Sequence, residues 1–239
     1  MRRSRRSQTI AIFSIIELYV AAVHLDEMDE ERVEDFPIFP LGLVALPSEL
    51  VPLHIFEERY RTMIAECLEN EREFGIVWTD EDGAHATGCA MEVTEVTERS
   101  EDGRMNIITR GTRPFRVVEE RHDLPYPAAV IEFLGDAELD DPGDDFNEAH
   151  AEACEAYADL VEQATDKQLE PEELAAKSAY EMAATVDFGA EAKQGLLDLR
   201  SEAKRIRLVA QLLRATVKRL EFVERAQVRA ASNGRVRFG

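Results

Sequence analysis

Two histidine–cysteine pairs come nearest to a spacing that does chemistry. His85 and Cys89 flank Ala86-Thr87-Gly88, and His150 and Cys154 stand four residues apart in a stretch of helical period. Imidazole and thiolate both bind metals, yet each pair offers two ligands where a closed site takes three or four. The expectation is no metal and no cofactor, with the thiols buried and the imidazoles at the surface. Cys67 has no neighbour of either kind. Three cysteines without close spacing build neither a disulfide framework nor a zinc knuckle, and they suit the reduced thiols of a cytoplasmic protein.

Catalytic signatures are missing from the 239 residues. No Gly-x-x-x-x-Gly-Lys-Ser/Thr loop, Gly-x-Gly-x-x-Gly turn, Gly-x-Ser-x-Gly elbow or His-Glu-x-x-His helix occurs. Lys177-Ser178 is the one Lys-Ser dipeptide, and it follows two alanines rather than phosphate-binding glycines. All five lysines (167, 177, 193, 204 and 218) fall in the second half of the chain on charged helical faces. Carboxylates are so numerous that no pair stands out as an acid and base. These residues predict a protein that is not an enzyme.

Composition narrows the partners. Forty-nine acidic residues against 28 basic ones give a net charge of −21, which opposes general attraction to nucleic acid or anionic lipid. The charge is uneven: residues 136–195 hold 18 acids and three lysines, whereas 196–239 hold 11 basic residues and four acids. That basic end (Arg200, Lys204, Arg205, Arg207, Arg214, Lys218, Arg219, Arg225 and Arg229) reads as a helix lying beside acidic neighbours. It lacks the interleaved aromatics of a base-stacking surface.

The elements that position these residues change character along the chain. Residues 1–35 form a leader: four early arginines, an apolar run from Ile10 to Val23, then an acidic stretch. Three readings stand for it: a start that is really at Met28, an amphipathic anchor within residues 1–25, or a cleaved signal. Glu17 and the short apolar run speak against a membrane span. From 36 to 135 the period is mostly two. Prolines 37 and 40 hold Phe36–Leu41 extended, Leu50–Phe56 is a second extended run, and Glu57 and Glu58 open a helix buried through Tyr60, Met63, Ile64, Cys67 and Leu68. Further strands lie at Phe74–Trp78, around Met91–Val96 with a bulge, at Met105–Ile108, Phe115–Val118 and Val130–Leu134. Residues 136–145 read as an acidic linker, 146–230 as an α-helical bundle and 231–239 as a tail. Within the bundle, Pro171 starts a helix running past Ser178 to Val186, a short helix covers 190–199, and Ser201 caps the longest one. The fold class is α+β: a small β-barrel domain with one inserted helix, then the bundle.

Several segments together resemble the amino-terminal substrate-binding domain of Lon proteases. Phe36-Pro37-Ile38-Phe39-Pro40-Leu41, Val51-Pro52-Leu53-His54-Ile55-Phe56-Glu57-Glu58-Arg59-Tyr60 and Glu73-Phe74-Gly75-Ile76-Val77 carry the likeness. Gly88-Cys89-Ala90-Met91, Asp102-Gly103-Arg104, Gly111 through Val117 and Lys193-Gln194-Gly195-Leu196-Leu197 follow in order, with Pro114 where that family carries arginine. The likeness covers about residues 36 to 225. It implies a barrel of the pseudouridine-synthase-and-transglycosylase (PUA-like) type, followed by helices, that engages polypeptides. Lon's ATPase and serine–lysine protease modules are absent from these residues, so the resemblance implies a stand-alone binding module without peptidase activity. The residues Pro40, Leu41, Pro52, Leu53, His54, Phe56, Glu57, Arg59, Tyr60, Phe74 and Gly75 match the family's motif in structural roles. Arg59 is expected to pair with an acid and His54 to close the strand-to-helix turn.

A binding surface is expected where apolar residues cannot all face inward. Leu43, Val44, Leu46, Leu50 and Val51 lie in a proline-bounded segment with two readings: lid residues over the barrel, or a polypeptide-binding patch that takes extended segments in a groove or by strand addition. Trp78, the single tryptophan, is assigned to the core. The expected partners are unfolded or flexible polypeptides, with an ATP-dependent protease or a second copy as further candidates. The alternative function is an RNA-binding PUA-like protein using the basic carboxyl-terminal helix.

Overall fold

A computed structural model of the chain describes residues 31–136, 143–165 and 167–233. The leader reading for residues 1–30 and the tail beyond 233 lie outside them. Among the described residues, the first half contains β1 (Arg32–Leu41), β2 (Leu50–Ile55), α1 (Glu58–Glu69), β3 (Phe74–Asp80), β4 (Gly83–Arg99), β5 (Met105–Arg121) and β6 (Ala128–Phe133). The second half holds α2 (Gly143–Thr165), α3 (Pro171–Ala175), α4 (Ala179–Ala183), α5 (Ala190–Asp198) and α6 (Glu202–Asn233). The α+β order of strands before helices agrees with the sequence pattern.

The sheet order is β2-β5-β4-β3-β1-β6, and the second half of β5 pairs again with β6. The pairing thus returns on itself and gives a barrel-like sheet, with β2 attached outside the ring along the first half of β5. Among the described residues only β1 and β3 run parallel, and the crossover that joins them carries β2 and α1. Register shifts in β4 between Val93 and Glu95 and between Val96 and Glu98 fall where the apolar alternation slips.

Two cores follow from the two faces of the sheet. Inside the curl lie Phe36, Ile38, Val77, Ala90, Phe115, Ala129, Ile131 and Phe133. Phe36 meets Phe115 edge-on, with ring centroids 5.5 Å apart. The Phe115 ring lies over Gly75 and Gly88, where an added Cβ would come within 2.4 and 2.7 Å of it. Glycine is required at those strand positions because the aromatic ring already fills the space.

The outer face packs Phe39, Phe74, Ile76, Met91 and Ile107 against Tyr60, Met63, Ile64 and Cys67 of α1. The same continuous core includes Ala153, Tyr157, Met182, Leu196, Leu197, Ile206, Val209 and Leu213 from the helices. The helical half therefore shares its core with the sheet.

Polar fastenings reinforce that junction. Lys193 Nζ meets Glu49 Oε1 at 2.5 Å, and Gln194 Nε2 donates to the Thr87 carbonyl at 3.2 Å. Arg205, almost fully buried, holds both Asp136 oxygens at 2.7 and 2.5 Å and stacks over Tyr180 at 4.5 Å.

Several boundaries differ from the sequence reading. Arg32 and Val33 already pair with Glu132 and Ile131, so the last residues of the expected leader belong to β1. The helical half begins at Gly143, inside the expected linker, and α6 extends to Asn233. The single helix expected over 171–186 is two short ones. Ser178 caps α4, accepting from Glu181 N at 3.3 Å while Glu181 Oε2 accepts from Ser178 N at 2.8 Å. That reciprocal box favours a fresh helix start over continuation.

Candidate functional site

The segment expected to expose an apolar patch is held down onto the sheet instead. Gly111 of β5 has no side chain, and a Cβ there would sit 2.0 Å from the Leu46 carbonyl oxygen. That closeness lets Ser48 N donate to Gly111 O at 2.8 Å and Gly111 N donate to Glu49 O at 2.9 Å. Glu49 also accepts from Leu46 N at 2.9 Å, and its other carboxylate oxygen holds Lys193. Ser48, at φ 68°, supplies the left-handed residue of the turn.

Leu46 is 0% exposed, and Val44 and Val51 are buried with it. This corrects the patch reading of Val44, Leu46 and Val51: they form a lid over the outer core. Leu43 is half-buried, packed against that core, and Leu50 alone projects, at 61% exposure.

Leu50 continues into a row the sequence reading did not isolate. Along β2, Val51 and Ile55 are buried and Leu53 half-buried, while Leu50, Pro52 and His54 face solvent and Phe56 follows them at 57% exposure. His54 stacks on Phe56, with ring centroids 5.7 Å apart, and its Nδ1 lies 2.6 Å from Asn106 Oδ1 on β5. His54 thus closes the end of the strand, and Phe56 is a surface residue rather than a structural one. The strict alternation in Leu50-Val51-Pro52-Leu53-His54-Ile55-Phe56 was the available signal.

The other residues of that set are placed by pairing and packing. Arg59 pairs with Glu57 at 3.0 Å and lies over the Tyr60 ring, which packs on Phe39 at 4.1 Å. Phe74 and Gly75 are buried in β3, and Pro40 and Leu41, both half-buried, end β1. Trp78 is half-buried and stacks on His85 at 4.2 Å.

The structure brings one of the two histidine–cysteine pairs together: Cys154 Sγ lies 3.6 Å from His150 Nδ1, whereas His85 and Cys89 are not in contact. Cys89 is fully buried, while His85 is half-buried and bonded to Asp80 at 2.8 Å, which lowers the Asp80 pKa. His150 Nε2 donates to the Lys177 carbonyl at 3.1 Å, and Cys154 donates to the Leu174 carbonyl at 3.3 Å. Among the described residues, no group of three or more histidine, cysteine, aspartate or glutamate side chains could hold an ion. Burial pushes the Cys67 thiol up to about 11 and the Cys89 thiol higher still.

A cavity of about 610 Å³ opens at one mouth of the curled sheet, between the β3–β4 turn and the β5–β6 loop. Its floor is apolar (Ile38, Val77, Ala129), and Arg59, His85, Arg121 and His122 stand at its rim. Arg121 is bound by Glu34 and Glu119 at 2.7 and 2.6 Å, so that rim is already neutralised. The basic end of the chain is partly compensated too: Arg205, Arg214 and Arg225 meet Asp136, Glu152 and Glu221. No described helix is long and apolar enough to cross a membrane.

A curled sheet with one inserted helix, a lidded outer core and an exposed apolar strand row makes up a domain of mixed α+β class. The model of the ATP-dependent protease La (LON) substrate-binding domain matches residues 35–215, and the chain belongs to that family. It is 27% identical over 194 residues to the LON peptidase N-terminal domain and RING finger protein C14F5.10c of Schizosaccharomyces pombe, covering 72% of this chain and 39% of that one. It is 25% identical over 199 residues to Lon protease 2 of Myxococcus xanthus, covering 77% and 24% respectively. The chain therefore spans well under half the length of either relative.

Two solved structures share the fold, each at a TM-score of 0.53. One is a Lon N-terminal domain protein from Xanthomonas campestris (21% identity, 73% of this chain and 95% of that one). The other is the N-terminal domain of a Mycobacterium avium complex Lon protease (16% identity, 75% and 98%).

Proposed function

We propose that the chain binds unfolded or flexible polypeptides and acts on them as an adaptor or holdase, without cutting them. The family match across residues 35–215 carries this reading, because that family is defined by substrate binding. The residues of the domain support it: exposed groups on β2 are suited to holding a chain, and neither histidine–cysteine pair is built for bond cleavage. An ATP-dependent protease is the partner to which such a domain would deliver its client, and a second copy of the chain is a further candidate. The reading places the protein in the cytoplasm and assigns it no ATP hydrolysis or casein cleavage.

The test sets reduced, carboxymethylated α-lactalbumin beside a single-stranded RNA in one salt titration. Capture of the unfolded protein that persists at moderate salt supports the reading. Binding of RNA alone, with a steep salt slope, would replace it by nucleic-acid recognition through the basic helix. Turnover of ATP or casein that survives purification would also overturn it.

A further inference from the structure

We infer that Cys154 Sγ, His150 Nδ1 and the Leu174 carbonyl oxygen form a zinc-binding site that ties α2 to the junction of α3 and α4. The inference goes beyond polypeptide binding and does not depend on it.

Hydrogen bonds assign the donor atoms. His150 and Cys154 stand four residues apart on one face of α2, and Phe146 stacks on the imidazole with ring centroids 5.8 Å apart. His150 Nε2 donates to the Lys177 carbonyl at 3.1 Å. In the neutral ring the proton therefore sits on Nε2, and the Nδ1 lone pair faces Cys154 Sγ at 3.6 Å. A metal-bound histidine is ordinarily oriented in this way, by a carbonyl or carboxylate on its other nitrogen. Cys154 Sγ also lies 3.3 Å from the Leu174 carbonyl oxygen. That oxygen accepts from Lys177 N at 3.1 Å, and a carbonyl has a second lone pair to offer. One S–H proton thus stands between two acceptors and can bond fully to only one. A cation in its place bonds to all three atoms.

Distances select the ion. Tetrahedral zinc with bonds of about 2.0–2.3 Å holds its ligands about 3.3–3.8 Å apart, and both separations from Sγ fall in that range. Counting residue types finds two ligands here, because the third belongs to the main chain. His150 and Cys154 are half-buried, which leaves the fourth position to water. Residues 136–195 carry 18 acids against three lysines, a field that draws cations to this part of the chain. Lys177 holds its own Nζ over the Tyr157 ring, 6.0 Å from the centroid. Binding exchanges a proton for the ion: the S–H bond breaks, the Zn–S bond forms and the proton leaves to solvent.

The test is a cobalt(II) titration of the reduced full chain. Cobalt(II) takes zinc's ligands and, when bound to a thiolate, shows a charge-transfer band that a carboxylate site lacks. The band should saturate at one ion per chain, and equimolar zinc(II) should abolish it. Cys154→Ser should lose the band, and His150→Gln should weaken cobalt binding at least tenfold. Zinc should raise the melting temperature of the parent and leave that of Cys154→Ser unchanged. Absence of the band in the parent, its survival in Cys154→Ser, or parent-like affinity in His150→Gln would overturn the site. Binding without the band would be an adventitious ion only, held on the acidic surface. Should either variant melt early in chelator, alkylation of the parent by iodoacetamide decides. Zinc should slow modification of Cys154 at least tenfold by mass spectrometry, and equal rates would leave an ordinary hydrogen-bonded thiol.

Discussion

Leu46 and Leu50 lie four residues apart in one segment, and the structure gives them opposite fates. Truncating Leu46 to alanine removes a fully buried side chain. Such changes cost about 2–5 kcal/mol, with the upper part of the range applying where the surroundings cannot collapse. Collapse is restricted here, because two backbone hydrogen bonds to Gly111 and the Glu49–Lys193 ion pair fix the segment. We expect a loss of about 3–4 kcal/mol, or roughly 10 °C in melting temperature for a domain of this size. Leu50→Ala removes an exposed side chain and should stay within about 0.5 kcal/mol. Calorimetry measures both, and capture of carboxymethylated α-lactalbumin is measured at 15 °C, where each variant is folded. Leu46→Ala should then capture normally and Leu50→Ala poorly. A Leu46→Ala protein that melts like the parent but loses its client would refute the lid, and the segment would itself be the binding patch.

Gly111→Ala should cost about 3 kcal/mol by chemical denaturation, because the new methyl group meets the Leu46 backbone rather than a movable side chain. Gly42→Ala, with nothing within 4 Å, serves as the neutral control. Lys193→Met should destabilise by about 3 kcal/mol because it leaves Glu49 charged and unpaired in a largely buried site. Adding Glu49→Gln should recover much of that loss in a double-mutant cycle. The raised Cys67 and Cys89 thiols stay protonated in the folded state after the unfolded chain has ionised them. Their share of stability should therefore be complete below the ordinary thiol value of 9.0 and fall as pH rises from there toward about 11. A cysteine-to-alanine pair that leaves this alkaline slope unchanged would remove thiol ionisation as its cause.

Much of the fold was legible because local rules agreed with tertiary demands. Proline at 37 and 40, acids at 57 and 58, and Asp-Gly at 82 and 102 each favoured the local conformation that the fold requires. Local rules failed where two of them competed. Leu174, Ser178, Met182 and Val186 keep helical spacing, yet Ser178 with Glu181 also spells a capping box, and the box prevailed. The union of the two halves was hidden for a different reason. Lys193 and Glu49 are 144 residues apart, and a solvated surface lysine reads the same in sequence as one that pins a distant loop.

Apolar content weighed without its period leaves the lid and patch readings of residues 43–51 side by side. Counting leucines and valines from 43 to 51 finds five residues that look too many to bury, but the glycine that gives them room stands at 111, on another strand. Period two continues past that window to Phe56, and it assigns the faces without any knowledge of Gly111. Inward positions 51, 53 and 55 feed the core, and outward positions 50, 52, 54 and 56 hold leucine, proline, histidine and phenylalanine where a half-buried strand ordinarily carries charge. Buried apolar residues are explained by packing alone. An apolar row that alternation forces into solvent has no such explanation, and under the proposed polypeptide-binding reading a client chain would supply one.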